Sequence, residues 1–436
     1  MRLIVESMKR GLTGSIVPPG DKSISHRALM LGAIASGVTR IDGLLFAEDT
    51  LHTARAFQAL GVNIAGLEER GAVTVEGAGQ QGLRAPSGPL YMGNSGTGMR
   101  LLAGILAAQH FEVELAGDAS LSNRPMDRIA IPLRLMGARV EGREERCLPP
   151  LKIRGGRLQA IQYALPVASA QVKSAILLAG LHADGETVVT EPAPSRDHTE
   201  RMLAYFGAEV HSERKTIRVR GGAALQGGHV IVPGDISAAA FLFVAASVVP
   251  GSDVLVEKVG VNRLRSGVID ALRSMGIAPA ISAPHQHSGE PAANVRVQPR
   301  PLRGTQIGGA MIPRLIDEIP ALCVAAAVAK GKTEVRDAQE LRIKESDRIA
   351  TMAEGLALMG AAAQPTPDGL VIDGPRHLKG ARVNCHGDHR VAMALAVAGL
   401  VAEGVTIIEE AECIRTSYPS FAADLRALGA TVREDE

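Results

Sequence analysis

At 436 residues and 46% hydrophobic composition, the chain exceeds one ordinary core, and roughly two to three domains are expected. Its 47 Lys and Arg offset 46 Asp and Glu, which argues against nucleic acid or an anionic membrane as a partner, and the absence of Trp with only 4 Tyr disfavours base stacking. Cys147, Cys323, Cys385 and Cys413 are far apart and form no CxxC, so neither a disulfide framework nor a zinc knuckle is indicated, and a reducing cytoplasm is the expected location.

The first residues, MRLIVESMKR, lack the apolar core of a signal peptide. The longest apolar stretch, between Asp235 and Pro250, falls short of the ~20 residues that span a bilayer, so a soluble protein is expected. The opening strand, LIVES, has no helix of its own and is expected to cross over and complete a C-terminal domain. After it one pattern recurs six times: a polar or glycine-rich start, an apolar helix, a β-type run, a second helix, and a Gly turn into another strand. The first helices open near Asp21, Ser95, Ser169, Asp235, Asp317 and Asp388. The second helices end at Gly61, Gly137, Gly207, Gly276, Gly360 and Gly429, where glycine takes left-handed angles cheaply.

The period, about 65 to 85 residues, is too long for a solenoid rung and fits a small α/β layer. Six such layers predict an α/β fold of two similar domains, 21–233 and 1–20 plus 234–436, with three units each. First helices such as AAAFLFVAAS (238–247) are apolar all round and therefore predicted to be buried all round. Their polar N-termini are predicted to gather at one end of each domain and to face a cleft between the domains.

A helix start with free N–H groups and nearby Lys or Arg is a seat for phosphate or carboxylate. Lys22, Ser23 and Arg27 in GDKSISHRALML share such a start. A solvated first turn is the plainer alternative, but cations there are unfavourable unless an anion joins them. GNSGTGMRLL adds Asn94, Gly96 and Thr97, with Arg100 one turn on, and Arg124 follows in SNRPMDR. Here a tight capping turn and an exposed arginine are the alternatives. Ser169 and Gln171 open the third helix with neutral hydrogen-bonding groups, and Arg196 in PSRDHTERML can reach the same place; capping alone accounts for Ser169 equally well. The C-terminal half holds acid–base candidates: Asp317 and Glu318 before PALCVAAAVA, then Lys344, Glu345 and Arg348 in ELRIKESDRI, then Arg390 in GDHR. Gly77, Gly79 and Gly82 match GxGxxG, but Pro86 follows and no helix begins, so no dinucleotide cofactor is expected. Cys385, His386, Asp388 and His389 lie too close in sequence to surround one ion, so no metal is expected.

Together, GDKSISHR, GNSGTGMR, SNRPMD, ELRIKESDR and GDHR, in this order along essentially the whole chain, resemble the 5-enolpyruvylshikimate-3-phosphate (EPSP) synthase family. The resemblance implies two domains of three βαβαββ units that close over two small anionic substrates, with no cofactor. It also implies a step of the shikimate pathway to aromatic amino acids. Lys22, Ser23, Arg27, Ser169, Gln171, Arg196, Asp317 and Lys344 would hold shikimate 3-phosphate; Lys22, Asn94, Gly96, Arg124, Gln171, Arg348 and Arg390 would hold phosphoenolpyruvate. Asp317, Lys344, Glu345 and Lys22 would serve catalysis, Asp317 as the base near the 5-hydroxyl. Unit charges of like sign ~4 Å apart repel by about 4 kcal/mol at an effective dielectric near 20, so bringing two such anions together calls for dense Lys and Arg.

The chain departs from some relatives at Ala170, where they have a second Ser, at Arg196, where they have Tyr, and at Thr416, where they have Lys before a Thr-Phe-Pro string. Gly96 matches members open to glyphosate, so inhibition is expected. Two other readings stand beside this one. The related UDP-N-acetylglucosamine enolpyruvyl transferases use a loop cysteine that GDASLSNRPMD lacks, and a six-unit scaffold could bind phosphorylated ligands without chemistry. A monomer is expected.

Overall fold

The computed structural model describes residues 1–69 and 71–435. Among the described residues the strands form six four-stranded sheets with one common strand order. In the second, Leu90–Tyr91 runs parallel to Glu112–Ala116, which is antiparallel to Leu148–Arg154, which is antiparallel to Arg139–Arg143. A helix follows each of the first two strands, giving the βαβαββ order. Leu148–Arg154 shows why a sheet with one wet face forms: Leu151 and Ile153 are buried while Lys152 and Arg154 between and beyond them are exposed.

Three sheets borrow strands from distant sequence, one of them through Thr13–Ile16, which runs parallel to Asp253–Gly260. Arg2–Glu6 lies between Val405–Glu409 and Val432–Asp435, antiparallel to both. His229–Ile231 runs parallel to Ser36–Asp42 and so completes the first sheet. The chain divides into two compact units. One comprises Gly20–Val232 with Gln286–Glu290; the other comprises Met1–Pro19, Pro233–His285 and Pro291–Glu436.

Each unit wraps its sheets and outer helices around three inner helices. In the first unit these are Lys22–Ile34, Gly96–Leu106 and Ala170–Gly180; in the second, Ile236–Val248, Ile319–Val328 and His389–Gly399. Every residue from Ile236 to Ser247 is buried, as expected for a helix with no polar face. Five inner helices are capped by the side chain just before them: Asp21, Ser95, Ser169, Asp235 and Asp388 each accept a backbone N–H of the first turn.

The helix expected near Asp317 differs. It begins at Ile319 after a 3-10 turn over Ile316–Glu318, with no side-chain cap. Pro320 explains the shift: it has no N–H to be capped and its fixed φ suits a first turn. The carboxylate of Asp317 is thereby left to side chains instead of the helix end. The six glycines after the outer helices all hold φ between 89° and 108°.

Small residues let inner helices touch. A Cβ on Gly104 would stand 2.3 Å from the carbonyl oxygen of Ala175 on the neighbouring inner helix, and backbone cannot give way there. Gly104→Ala is expected to destabilise the first unit by about 1–3 kcal/mol. Urea unfolding followed by circular dichroism checks this; an unchanged midpoint would contradict the close approach.

Candidate active site

In the first unit, hydrogen bonds join the starts of the three inner helices pairwise. Arg27 of the first, 3% exposed, donates from Nε to Thr199 Oγ1 at 2.7 Å, from Nη2 to Ser174 Oγ at 2.8 Å and from Nη1 to its own helix at Ser23 O at 2.8 Å. His26 of the first helix lies with Nε2 3.4 Å from Ser95 Oγ, the cap of the second. Arg100 of the second donates to Gln171 Oε1 at 2.6 Å, and Gln171 Nε2 returns a bond to Thr97 Oγ1 at 2.8 Å.

Around that triangle the structure gathers the residues singled out in this half. Lys22 forms an ion pair with Asp49 of the helix Glu48–Ala59. Asn94 donates to Asp118 Oδ2 at 2.8 Å and accepts from Arg124 Nη2 at 2.5 Å. A Cβ at Gly96 would stand 3.2 Å from guanidinium nitrogens of both Arg100 and Arg124, so a larger residue there would push on two cations at once. Burial, opposed by Glu200 and Asp21, lowers the Arg27 pKa to about 10, still charged at neutral pH. Arg196 is half-buried and near enough to act on Arg27 as a like charge. Ser169 caps its helix, accepting from Val172 N at 3.4 Å.

The second unit assembles the acid–base candidates around Arg348, 1% exposed. Its Nε donates to Asp388 Oδ2 at 2.7 Å, Nη2 to Glu345 Oε2 at 2.6 Å and Nη1 to Asp317 Oδ1 at 3.3 Å. Burial works against this charge, but Asp388, Glu345 and Asp317 outweigh it and raise the pKa above the ordinary arginine value. Lys344 Nζ lies 3.7 Å from the same Asp317 oxygen, and Arg390 Nη1 donates to Asp317 O at 3.1 Å. Behind them Glu318, fully buried, accepts from Arg265 Nη1 at 2.8 Å and from Ser237 Oγ, which ties the fourth inner helix to the fifth. Asp317, Lys344, Glu345, Arg348 and Arg390 are thus one cluster, as are Lys22, Arg27, Asn94, Gly96, Arg124, Gln171 and their partners in the first unit.

The segment from Cys385 to His389 turns to other uses. Cys385 Sγ donates to Glu409 O at 3.1 Å, and Asp388 caps its helix while gripping Arg348. Among the described residues no group of three His, Cys, Asp or Glu is placed to hold a metal. Thr416 donates to Cys413 O at 2.8 Å.

A family model described as EPSP synthase (3-phosphoshikimate 1-carboxyvinyltransferase) matches residues 7–425. The chain belongs to the EPSP synthase family. Curated relatives bearing the name 3-phosphoshikimate 1-carboxyvinyltransferase include that of Desulforudis audaxviator, 53% identical with 96% of this chain and 97% of the relative covered. That of Alkalilimnicola ehrlichii is 54% identical, with 94% and 92% covered. Among solved structures, EPSP synthase from Acinetobacter baumannii superposes with a TM-score of 0.90 at 47% identity, covering 100% of both chains. The enolpyruvyl transferase NikO from Streptomyces tendae shares the fold, with a TM-score of 0.80 at 19% identity over 99% of this chain and 98% of that one.

For an EPSP synthase family member, what the motif strings do not disclose is how closely these cations are paired with carboxylates. Arg265, Lys344, Arg348 and Arg390 stand among Asp235, Asp317, Glu318, Glu345 and Asp388, so the cluster in the second unit is not an excess of positive charge. Asp49 and Asp118 escaped notice. Asp49 reads as an acid favoured in a first turn and Asp118 as a loop residue, and neither spacing names a partner. Arg100 had a signal, one turn after Gly96, but not a role.

Buried His26 sets a pH dependence. Burial, then Lys22 and Arg27, push its pKa well below 6.5. Below pH 6.5 the unfolded chain therefore takes up a proton that folded His26 does not, so this contribution to stability is present above pH 6.5 and declines as pH falls. His26→Gln should flatten stability against pH between 6.5 and 5 by up to about 1.4 kcal/mol per pH unit. Urea titrations at stepped pH measure it, and identical slopes for the two proteins would contradict it.

Proposed function

We infer that the chain transfers the enolpyruvyl group of phosphoenolpyruvate to the 5-hydroxyl of shikimate 3-phosphate and releases phosphate, a step toward aromatic amino acids. The observation that carries this is the match over residues 7–425, with named relatives about half identical along nearly their full length.

On this reading Lys22, Ser23, Arg27, Ser169, Gln171, Arg196, Asp317 and Lys344 receive shikimate 3-phosphate. Three of the five Arg27 N–H groups are engaged within the chain, leaving two for a carboxylate. Lys22, Asn94, Gly96, Arg124, Gln171, Arg348 and Arg390 receive phosphoenolpyruvate, and glyphosate competes there because Gly96 leaves room beside Arg100 and Arg124. Asp317 takes the proton of the 5-hydroxyl as its oxygen bonds to C2 of phosphoenolpyruvate, and a proton is delivered to the methylene carbon. In the resulting tetrahedral intermediate the bond from C2 to the phosphate oxygen then breaks, and loss of a methyl proton restores the double bond. Lys344 and Glu345, beside Asp317 and Arg348, handle the second proton. The chain acts in this reading as a cytoplasmic monomer whose residues 21–233 and 1–20 plus 234–436 are its two working domains. No described helix is long and apolar enough to cross a membrane.

Purified protein mixed with both substrates should release phosphate, and millimolar glyphosate should suppress it. Asp317→Asn should lower kcat by about 10² or more, as loss of a general base does. Phosphate no faster than in the enzyme-free control would overturn the assignment.

A further inference from the structure

Lys173 lies two residues beyond Gln171 on the third inner helix, and it is 1% exposed. Its ammonium meets Glu200 Oε1 at 2.7 Å and Glu191 Oε2 at 2.9 Å, and it reaches Ser195 O at 3.4 Å. Glu191 in turn accepts from Ser195 Oγ and, at 3.4 Å, from Ser195 N. The segment from 191 to 195 is therefore folded back on a single buried ion group. Arg196 is the next residue.

The neighbouring side chains repeat the arrangement one step on. Ser174, beside Lys173, lies 2.6 Å from Thr199 Oγ1, beside Glu200, and both hydroxyls accept from Arg27. Two adjacent residues of the inner helix thus hold two adjacent residues of the helix His198–Tyr205, one pair by charge and one by hydroxyls. A buried lysine is costly unless fully paired, and two buried carboxylates left without it would be costlier still. The group is therefore rigid where an exposed loop lysine would not be.

We propose that Lys173, with Glu191, Glu200 and Ser195, is a positioning group that sets Arg196 and Arg27 for the shikimate 3-phosphate end of the reaction. The proposal rests on the assignment of both arginines to that substrate. None of the four touches substrate: Lys173 and Glu200 are screened from solvent and face one another. Their effect is on where two guanidinium groups stand, so it falls on one substrate and not on the other.

The test is steady-state kinetics with each substrate varied in turn, on wild type, Arg196→Ala, Ser195→Ala and Lys173→Met. Ser195→Ala removes the hydroxyl link, the tightest of the three between the ion group and the Arg196 segment, keeps the two backbone contacts at 3.4 Å and leaves the charges paired. It should raise KM for shikimate 3-phosphate three- to tenfold with KM for phosphoenolpyruvate and kcat within twofold of wild type. Lys173→Met, where it folds, should raise the same KM more than tenfold. Should Lys173→Met fail to fold, Ser195→Ala decides. A Ser195→Ala enzyme with both KM values unchanged, or both raised alike, overturns the positioning role. If Arg196→Ala leaves KM for shikimate 3-phosphate unchanged, the assignment of Arg196 fails instead, and the proposal falls with it.

Discussion

A positive charge beside the N-terminus of a buried helix is opposed twice, by the helix dipole and by loss of water. The arrangement of this chain follows from how it meets that constraint. Lys22 is held by Asp49, Lys344 lies by Asp317, and Arg348 is held by Asp317, Glu345 and Asp388. Asp388 serves twice, since its other oxygen caps the helix that starts with His389. Under the proposed function, substrate oxygens that meet these cations take over from carboxylates already there. Binding is then an exchange of anion partners, which costs less than bringing bare cations together and makes discrimination depend on geometry.

The repeated βαβαββ unit is what brings helix starts into register. Apolar first helices sink into the middle of each unit, and small side chains such as Gly104 and Ala175 let them pack closely enough for their starts to share hydrogen bonds. In the first unit three pairs close a ring: His26 with Ser95, Arg100 with Gln171, Arg27 with Ser174. In the second, Ser237 with Glu318 joins the fourth inner helix to the start of the fifth, and Arg390 with Asp317 joins the sixth to it. Gly96 belongs to this packing as much as Gly104 does, because its missing side chain is what lets Arg100 and Arg124 approach.

Much of this was legible in the sequence because it is local. Asp21, Ser95, Ser169, Asp235 and Asp388 each precede an apolar run, and a polar residue in that place caps a helix. The sixfold repeat followed from those starts and from the glycines that end the outer helices, and its βαβαββ order from the family resemblance. The start at Asp317 was placed slightly early, because Pro320 admits a 3-10 turn before the helix proper. Pairing across long separations left no local trace. Ser237 and Glu318 are 81 residues apart, and Arg27 and Thr199 are 172 apart. Lys173 is the plainest case: nothing in VASAQVKSAILL marks it as paired, yet it is nearly as buried as the leucines around it. No spacing rule distinguishes a lysine that faces water from one that faces two carboxylates.

The most direct measurement is a crystal structure with shikimate 3-phosphate and phosphoenolpyruvate, or its competitor glyphosate, bound. Partner exchange predicts that Lys22 Nζ leaves Asp49 and that Lys344 Nζ and Arg348 lie within about 3 Å of ligand oxygens. If Lys22 stays on Asp49 and Lys344 on Asp317 while both ligands are held by other groups, the exchange of carboxylate for substrate is not how this site works.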